Sequence, residues 1–139
     1  MIEWSDELSI GVDAIDDQHC AFVGLVNRFS ALNRSGASNE AMRSILADVV
    51  SYAEIHFIDE EDLMRRAGYP ELAEHMKAHD AAAAKIHDML IRDADGPELY
   101  GFLASFLKTW LLTHIMSSDK AFGDWLKANH PEAPAVPVR

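Results

Sequence analysis

Apolar residues recur every three or four positions along most of this chain, and that spacing predicts long amphipathic helices. The first predicted helix has Asp13 as its N-cap and ends near Arg34. A second begins near Ser38 and ends at the turn formed by residues 68–70, where glycine and proline interrupt the pattern. The predicted buried stripe of the first helix contains Ile15, His19, Phe22, Val23, Val26, Phe29 and either Ala31 or Leu32.

The second half of the chain repeats this organisation. A third helix is predicted to have Pro70 in its first turn and to stop at residues 95–97, and a fourth has Pro97 in its first turn. Short connections make consecutive helices antiparallel neighbours. The prediction is therefore an all-α, up-down-up-down antiparallel four-helix bundle. We assign residues 1–12 to an N-terminal arm, residues 13–128 to the bundle, and residues 129–139 to a short, Pro-rich, disordered tail.

Composition narrows the possible partners and compartment. The chain has 139 residues, enough for one domain, and a formal net charge of -11 argues against nucleic acids and anionic membranes as partners. No apolar run is long enough to span a membrane, and the acidic N-terminus does not resemble a signal peptide. The lone Cys20 excludes an internal disulfide and fits a reducing compartment. We therefore expect a cytoplasmic protein.

Two pairs of potential metal ligands flank the turn between the second and third helices. His56 and Glu60 are four residues apart, as are His75 and His79, so the members of each pair project from one face of their helix. Because the helices are predicted to be antiparallel neighbours, the two faces can meet. Imidazole and carboxylate together suit a first-row transition metal. A single histidine on such a helix is more often an ordinary core or surface residue, but two complementary pairs favour a metal site.

The two outer helices add further candidates. His19 lies on the predicted buried stripe of the first helix, and the fourth helix offers His114 and Asp119. Those last two side chains are five residues apart, which separates them by about 140° in a regular α-helix. Considered alone, Asp119 is equally well explained as a solvent-exposed acid. A local π-bulge would bring both side chains to one face.

These residues and their flanking motifs resemble the hemerythrin family, most closely its bacterial single-domain members, the bacteriohemerythrins. The matching segments are IDDQH, HFIDEEDLM, GYP, HMKAH and WLLTHIMSSD, together with the arm IEWSDELSIGVDAID. The resemblance extends from about residue 2 to about residue 127. Every helix of the predicted bundle contributes to it.

The resemblance implies a centre of two iron ions joined by an oxo or hydroxo bridge. It implies that His75, His79 and His114 hold one iron, that His19 and His56 hold the other, and that Glu60 and Asp119 bridge them. The second iron is then five-coordinate, with one position open for O2. The implied function is reversible O2 binding for storage, delivery or sensing, without catalysis. NO and azide-like anions are other possible ligands.

Other kinds of metal site, and another function, are alternatives to this interpretation. Zinc also binds histidine pairs, but seven ligand groups exceed its tetrahedral requirement. Ferritin-like di-iron sites use a carboxylate-rich set of ligands that this chain lacks. A di-iron enzyme or sensor that acts on NO, peroxide or Fe(II) remains the alternative function.

Residues flanking the predicted ligands are candidates for the wall of a ligand pocket, although core packing is the simpler role. These candidates are Phe22, Val23, Phe57, Trp110, Leu111 and Ile115. We expect His87 and His130 to be exposed, and Cys20 to be a small packed or partly exposed side chain rather than a ligand. A redox-sensing thiol is the alternative for Cys20.

Overall fold

The computed structural model describes residues 1–92 and 97–131 of the chain. The described segments contain helices and no strand. The helices are α1 (Asp13–Arg34), α2 (Asn39–Ala67), α3 (Leu72–Arg92), α4 (Pro97–His114) and α5 (Lys120–Asn129), with a π-helical segment, Ile115–Asp119, joining α4 to α5. Residues 95 and 96 of the stop predicted at residues 95–97, and residues 132–139 of the predicted tail, lie outside the described residues.

The packing of the helices confirms the predicted all-α four-helix bundle. α1, α2 and α3 each pack against the next helix in the chain, and α4 also packs against α1, which closes the bundle. Because each connecting segment is short, neighbouring helices run antiparallel. Among the residues that the structure describes, no helix is both long and apolar enough to cross a bilayer.

The N-terminal arm is fixed to α1 and contributes to the core. Asp16 accepts hydrogen bonds from the hydroxyl of Ser9 (2.5 Å) and the backbone N–H of Ile10 (2.8 Å). Asn27 exchanges two hydrogen bonds with the backbone of Ile2, at 2.9 and 2.7 Å. The prediction of Asp13 as N-cap is wrong: Val12 is the cap residue and Asp13 is the first helical residue. The nearby carboxylate that organises the entry to the helix is that of Asp16.

The turn between α2 and α3 places the paired ligand candidates opposite each other. Gly68 ends α2 in the left-handed conformation (φ 77°), and Tyr69 N–H donates to the carbonyl of Met64 at 2.9 Å. This Schellman-type ending supplies partners for carbonyls that the helix leaves unpaired. The turn extends one residue beyond Pro70, so α3 begins at Leu72 and not at Pro70 as predicted. The predicted start of α2 is close, because Ser38 is its N-cap and accepts from Ala41 N–H.

Apolar side chains from the arm, α1, α2, α4 and α5 form the buried core, and partly buried apolar side chains of α3 pack against it. On α1 the buried set matches the predicted stripe from Ile15 to Phe29. On α2, Met42 and Asp59 are buried, whereas Tyr52 is only half-buried. A group of polar residues interrupts this apolar interior at one level of the bundle.

Candidate metal centre

Seven buried histidine and acidic side chains converge at this polar level of the bundle. These side chains come from all four bundle helices and from the π segment. Among the described residues, they are His19, His56, Glu60, His75, His79, His114 and Asp119. Each is at most 6% exposed. Charged and polar groups are rarely buried so completely unless they are paired or bind a metal. The ligand atoms form two groups that share Glu60 and Asp119.

The first group is built on α3 and the end of α4. Nε2 of His114 lies 3.1 Å from Nε2 of both His75 and His79. Glu60 Oε1 lies 2.5 Å from His75 Nε2 and 3.2 Å from His79 Nε2. Together with Asp119, these residues offer ligand atoms within 4.8 Å of one another. Three imidazole nitrogens that face a common point make a site able to bind a metal cation.

The second group lies between α1 and α2. His19 Nε2 is 3.0 Å from Asp119 Oδ2 and 3.5 Å from Glu60 Oε2. His56 Nε2 is 3.2 Å from Glu60 Oε2. This group therefore contains two imidazoles where the first contains three.

The two shared carboxylates each direct one oxygen to each group. Glu60 presents Oε1 to His75 and His79 but Oε2 to His19 and His56. Asp119 divides its oxygens in the same way: Oδ1 lies 3.0 Å from His75 Nε2, whereas Oδ2 lies 3.0 Å from His19 Nε2. Such an arrangement suits carboxylates that span two adjacent cations.

A π-helical turn places Asp119. His114 ends α4, and the five residues Ile115–Asp119 form the π segment. Because the wider turn contains an additional residue, Asp119 returns to the face of His114, and its Oδ1 lies 3.2 Å from His114 Nε2. The π-bulge predicted from the five-residue spacing is thus confirmed.

Several polar atoms in this cluster are buried without a hydrogen-bond partner. In the described part of the chain they are both ring nitrogens of His19, Oε2 of Glu60 and both carboxylate oxygens of Asp119. Some of these atoms are close to one another, such as His19 Nε2 and Asp119 Oδ2, but their angles do not suit a hydrogen bond. Orphaned buried acceptors are costly. A bound cation would satisfy them, so the donor set fits a metal such as iron, which accepts imidazole and carboxylate ligands.

The two buried carboxylates also shift the pKa values of the histidines around them when no metal is bound. Burial lowers the pKa of His19 and His75, but the nearby carboxylates of Asp119 and Glu60 outweigh this effect and raise both values to about 9. The pKa of His114 is raised by the same balance of causes. Burial raises the pKa of Glu60, yet the neighbouring histidines hold it well below its usual range. Without metal, therefore, protons supply the positive charge that the carboxylates require.

Three polar residues near the centre were missed by the sequence analysis: Gln18, Asp59 and Glu61. Gln18 Oε1 accepts from His56 Nδ1 at 2.7 Å, and Glu61 Oε2 accepts from His79 Nδ1 at 2.7 Å. Asp59, in turn, accepts from the amide of Gln18 at 2.8 Å. The only available signal was adjacency, since Gln18 precedes His19 and Glu61 follows Glu60 in the chain.

Aromatic rings cover the centre on one side. Phe57 stacks on His79 with ring centroids 3.9 Å apart, and Trp110 stacks on His114 at 4.6 Å. Together with Phe22, these two residues line a cavity of about 210 Å³ that lies between the bundle helices. The other three predicted pocket residues, Val23, Leu111 and Ile115, are buried but do not line this cavity.

The remaining candidates lie outside the cluster. His87 and Cys20 are exposed, as is His130, whose Nε2 lies 2.9 Å from the carbonyl of Ala67. The expected exposure of the two histidines is confirmed.

Comparison with known proteins agrees with the geometry. Residues 10–126 match the family model for the hemerythrin HHE cation binding domain. A bacteriohemerythrin from Stenotrophomonas maltophilia is 33% identical over 129 residues, which cover 93% of this chain and 84% of the relative. One from Ralstonia nicotianae is 31% identical over 134 residues, covering 96% of this chain and 94% of the relative. A third, from Clostridium acetobutylicum, is 29% identical and is covered over its entire length. The chain therefore belongs to the hemerythrin family of cation-binding domains.

Proposed function

We propose that this protein holds two iron ions and binds O2 reversibly at one of them. His75, His79 and His114 would hold one ion, His19 and His56 the other, and Glu60 and Asp119 would bridge them. The single observation that carries this proposal is the division of oxygens: each carboxylate directs one oxygen to each histidine group. A carboxylate that bound a single ion would direct its oxygens to one histidine group and not to both.

The unequal ligand sets support a role in binding. With three imidazoles on one side and two on the other, the ion near His19 and His56 would have one position fewer occupied by protein. Two iron(II) ions held by these residues would supply electrons and an open coordination position for a diatomic ligand. All seven ligand side chains are buried, so a small molecule reaches the open position more readily than a large substrate. O2 is the ligand proposed, and the name bacteriohemerythrin carried by the relatives supports that choice.

The chain's own residues would favour release over reaction. Phe57 and Trp110 pack flat against two of the histidines and restrict water on that side. In the described part of the chain, both ligand groups consist only of histidines, Glu60 and Asp119, all of which would be occupied in holding the metal. Reversible binding therefore fits the site better than oxidase or peroxidase chemistry.

Metal analysis combined with an optical gas cycle tests the proposal. Protein expressed in iron-replete medium should contain about two irons per chain. After anaerobic reduction, O2 should produce a new visible spectrum that argon reverses over repeated cycles. One metal per chain, or mostly zinc, would contradict the di-iron site. An irreversible spectral change with consumption of O2 would favour an oxidase, and a response to NO or peroxide alone would favour the alternative sensor or enzyme.

A further inference from the structure

The outer ring nitrogens of two candidate ligands are held by different kinds of acceptor. His56 Nδ1 donates to the amide oxygen of Gln18, and His79 Nδ1 donates to the carboxylate of Glu61, both at 2.7 Å. Because both partners are acceptors, the proton of each ring is held at Nδ1, and Nε2 is left free to face the centre. The two contacts fix the tautomer and the rotation of the rings.

Asp59 determines which end of the Gln18 amide faces His56. The Gln18 Nε2 group donates to Asp59 Oδ2 at 2.8 Å, and Asp59 is only 4% exposed. Since a carboxylate only accepts, the amide nitrogen must point to Asp59 and the amide oxygen to His56. Asp59, Gln18 and His56 thus form a directed chain of hydrogen bonds that links α2 to α1 and back to α2.

The two acceptors differ in charge. Glu61 places a carboxylate on His79, with its side chain 16% exposed, whereas a neutral amide reaches His56. A carboxylate that accepts the Nδ1 proton makes an imidazole a stronger electron donor through Nε2, and so stabilises the more oxidised metal. The neutral amide gives His56 the same orientation with a smaller electronic effect.

Building on the proposed di-iron function, we propose that Glu61 and the Asp59–Gln18 pair are positioning residues that make the two metal positions electronically unequal. Glu61 makes His79 a stronger electron donor to the metal of the three-histidine group, and this favours the oxidised state of that metal. Gln18 keeps His56 oriented but weaker as a donor, so that the metal with the open position stays easier to reduce.

Ring-proton exchange in the metal-free protein tests the hydrogen bonds without any iron. In the parent, the Nδ1–H signals of His56 and His79 should be visible by NMR and protected from exchange with water. Gln18→Ala should remove protection from His56 only, and Glu61→Ala from His79 only. Asp59→Ala should weaken protection of His56 while leaving His79 unchanged. If protection persists in these variants, the contacts do not hold the rings and the proposal is wrong.

A double-mutant cycle tests whether Asp59 acts through Gln18. Iron(II) affinity, measured anaerobically against a competing chelator, should fall about 10- to 100-fold for Gln18→Ala, the range typical for loss of an outer hydrogen-bond partner. Asp59→Ala should add little in the Gln18→Ala background, since the two residues form one chain. If the losses of iron(II) affinity in the two single variants add up fully in the double variant, Asp59 acts independently of Gln18. That result would contradict the proposed chain of hydrogen bonds.

The reduction potential separates the electronic effect from orientation. Glu61→Gln keeps an acceptor for His79 but removes the charge, so it should retain iron and raise the potential. Gln18→Glu should lower it. Glu54→Gln is the matched control, because it removes the same charge from an exposed position on the same helix and should leave the potential near that of the parent. If Glu61→Gln and Glu54→Gln shift the reduction potential equally, the effect comes from net charge alone and the proposal is wrong.

These tests distinguish failure of this inference from failure of the proposed function. If the parent binds two irons and cycles O2 while the variants leave protection and potential unchanged, only the inference fails. If the parent does not hold two irons, the exchange experiment still decides whether Gln18 and Glu61 hold the rings.

Discussion

Asp119 Oδ1 lies 3.2 Å from His114 Nε2 although the two residues are five positions apart in one helical run. The intervening π-helical turn makes this possible, and it places Asp119 between the two histidine groups. An acid at this position in a regular helix would turn away from the centre. The irregular turn therefore determines whether a second carboxylate reaches both histidine groups.

Replacing Asp119 by Asn tests whether both of its oxygens are needed. The amide preserves the shape of the side chain but offers one oxygen instead of two, so only one histidine group keeps an oxygen ligand from this residue. We expect the iron content of Asp119→Asn to fall from about two per chain towards one. Loss of bound metal should also lower the melting temperature, because metal binding contributes to folding.

The matched control for this change is Asp124→Asn. Asp124 is exposed on α5, five residues after Asp119 and outside both ligand groups, so its variant should keep the parent's iron content and melting temperature. Two tightly held irons in Asp119→Asn would contradict the bridging role.

The regular part of the fold and most of the candidate site followed from periodicity. His19 falls on the stripe that also contains Ile15 and Phe22, and a stripe of this kind must face the core of a bundle. The i, i+4 spacing of His75 and His79 likewise determines their common face. Such relationships depend only on helix geometry, which the sequence pattern specifies well.

Relationships between helices were harder to predict. The bond from Gln18 to His56 depends on the rotation of α1 against α2, and no spacing within either helix encodes that rotation. Asp59 looks like a surface acid in the sequence, yet it is buried, because it is paired with Gln18 across the helix interface. The start of α3 at Leu72 was missed for a related reason, since the geometry of the preceding turn outweighs the preference of Pro70 for a first helical turn.

The pKa shifts predict that the stability of the metal-free fold and its affinity for iron change in opposite directions as the pH rises. Because the folded-state pKa of His19 and His75 is raised from 6.5 to about 9, their protonation stabilises the metal-free fold fully below about pH 6.5. That contribution is lost as the pH rises through about 9. Iron must displace the same protons, so iron affinity should increase over this range.

Melting curves at pH 6.5 and pH 9 check this prediction. The metal-free protein should melt at a lower temperature at pH 9, and the difference between loaded and metal-free melting temperatures should widen. His19→Gln should reduce the pH dependence of the metal-free form. His87→Gln, which changes an exposed histidine, should not. A metal-free protein that gains stability from pH 6.5 to pH 9 would contradict the sign.

Tryptophan fluorescence should report metal binding through Trp110. This ring lies nearly parallel to that of His114, with centroids 4.6 Å apart, so an iron ion at His114 would be close enough to quench it. We expect iron loading to quench the parent, and Trp110→Phe to lose most of that response. Trp4→Phe, in the N-terminal arm, should keep it. A response that survives in Trp110→Phe would place the metal elsewhere.

Leu111 provides a test of the apolar wall around the proposed O2 site. It precedes His114 by three residues, about 60° away on the same side of α4, and it is 2% exposed. Leu111→Asn conserves much of the volume but introduces an amide that can recruit water. This variant should retain both irons and still bind O2. Because water and protons promote oxidation of the reduced irons, it should autoxidise at least several-fold faster than the parent. The rate is measured from the decay of the optical spectrum of the oxygenated protein.

Leu103→Asn controls for the general cost of a buried amide. Leu103 is fully buried on the same helix, but it lies eleven residues before His114, roughly 16 Å along the axis. Both variants should lose stability, by about 1 to 3 kcal/mol if the amide stays unpaired. Only Leu111→Asn should accelerate autoxidation beyond what that loss explains. Equal acceleration in the two variants would mean that loosening of the bundle admits water, and that Leu111 does not guard the site.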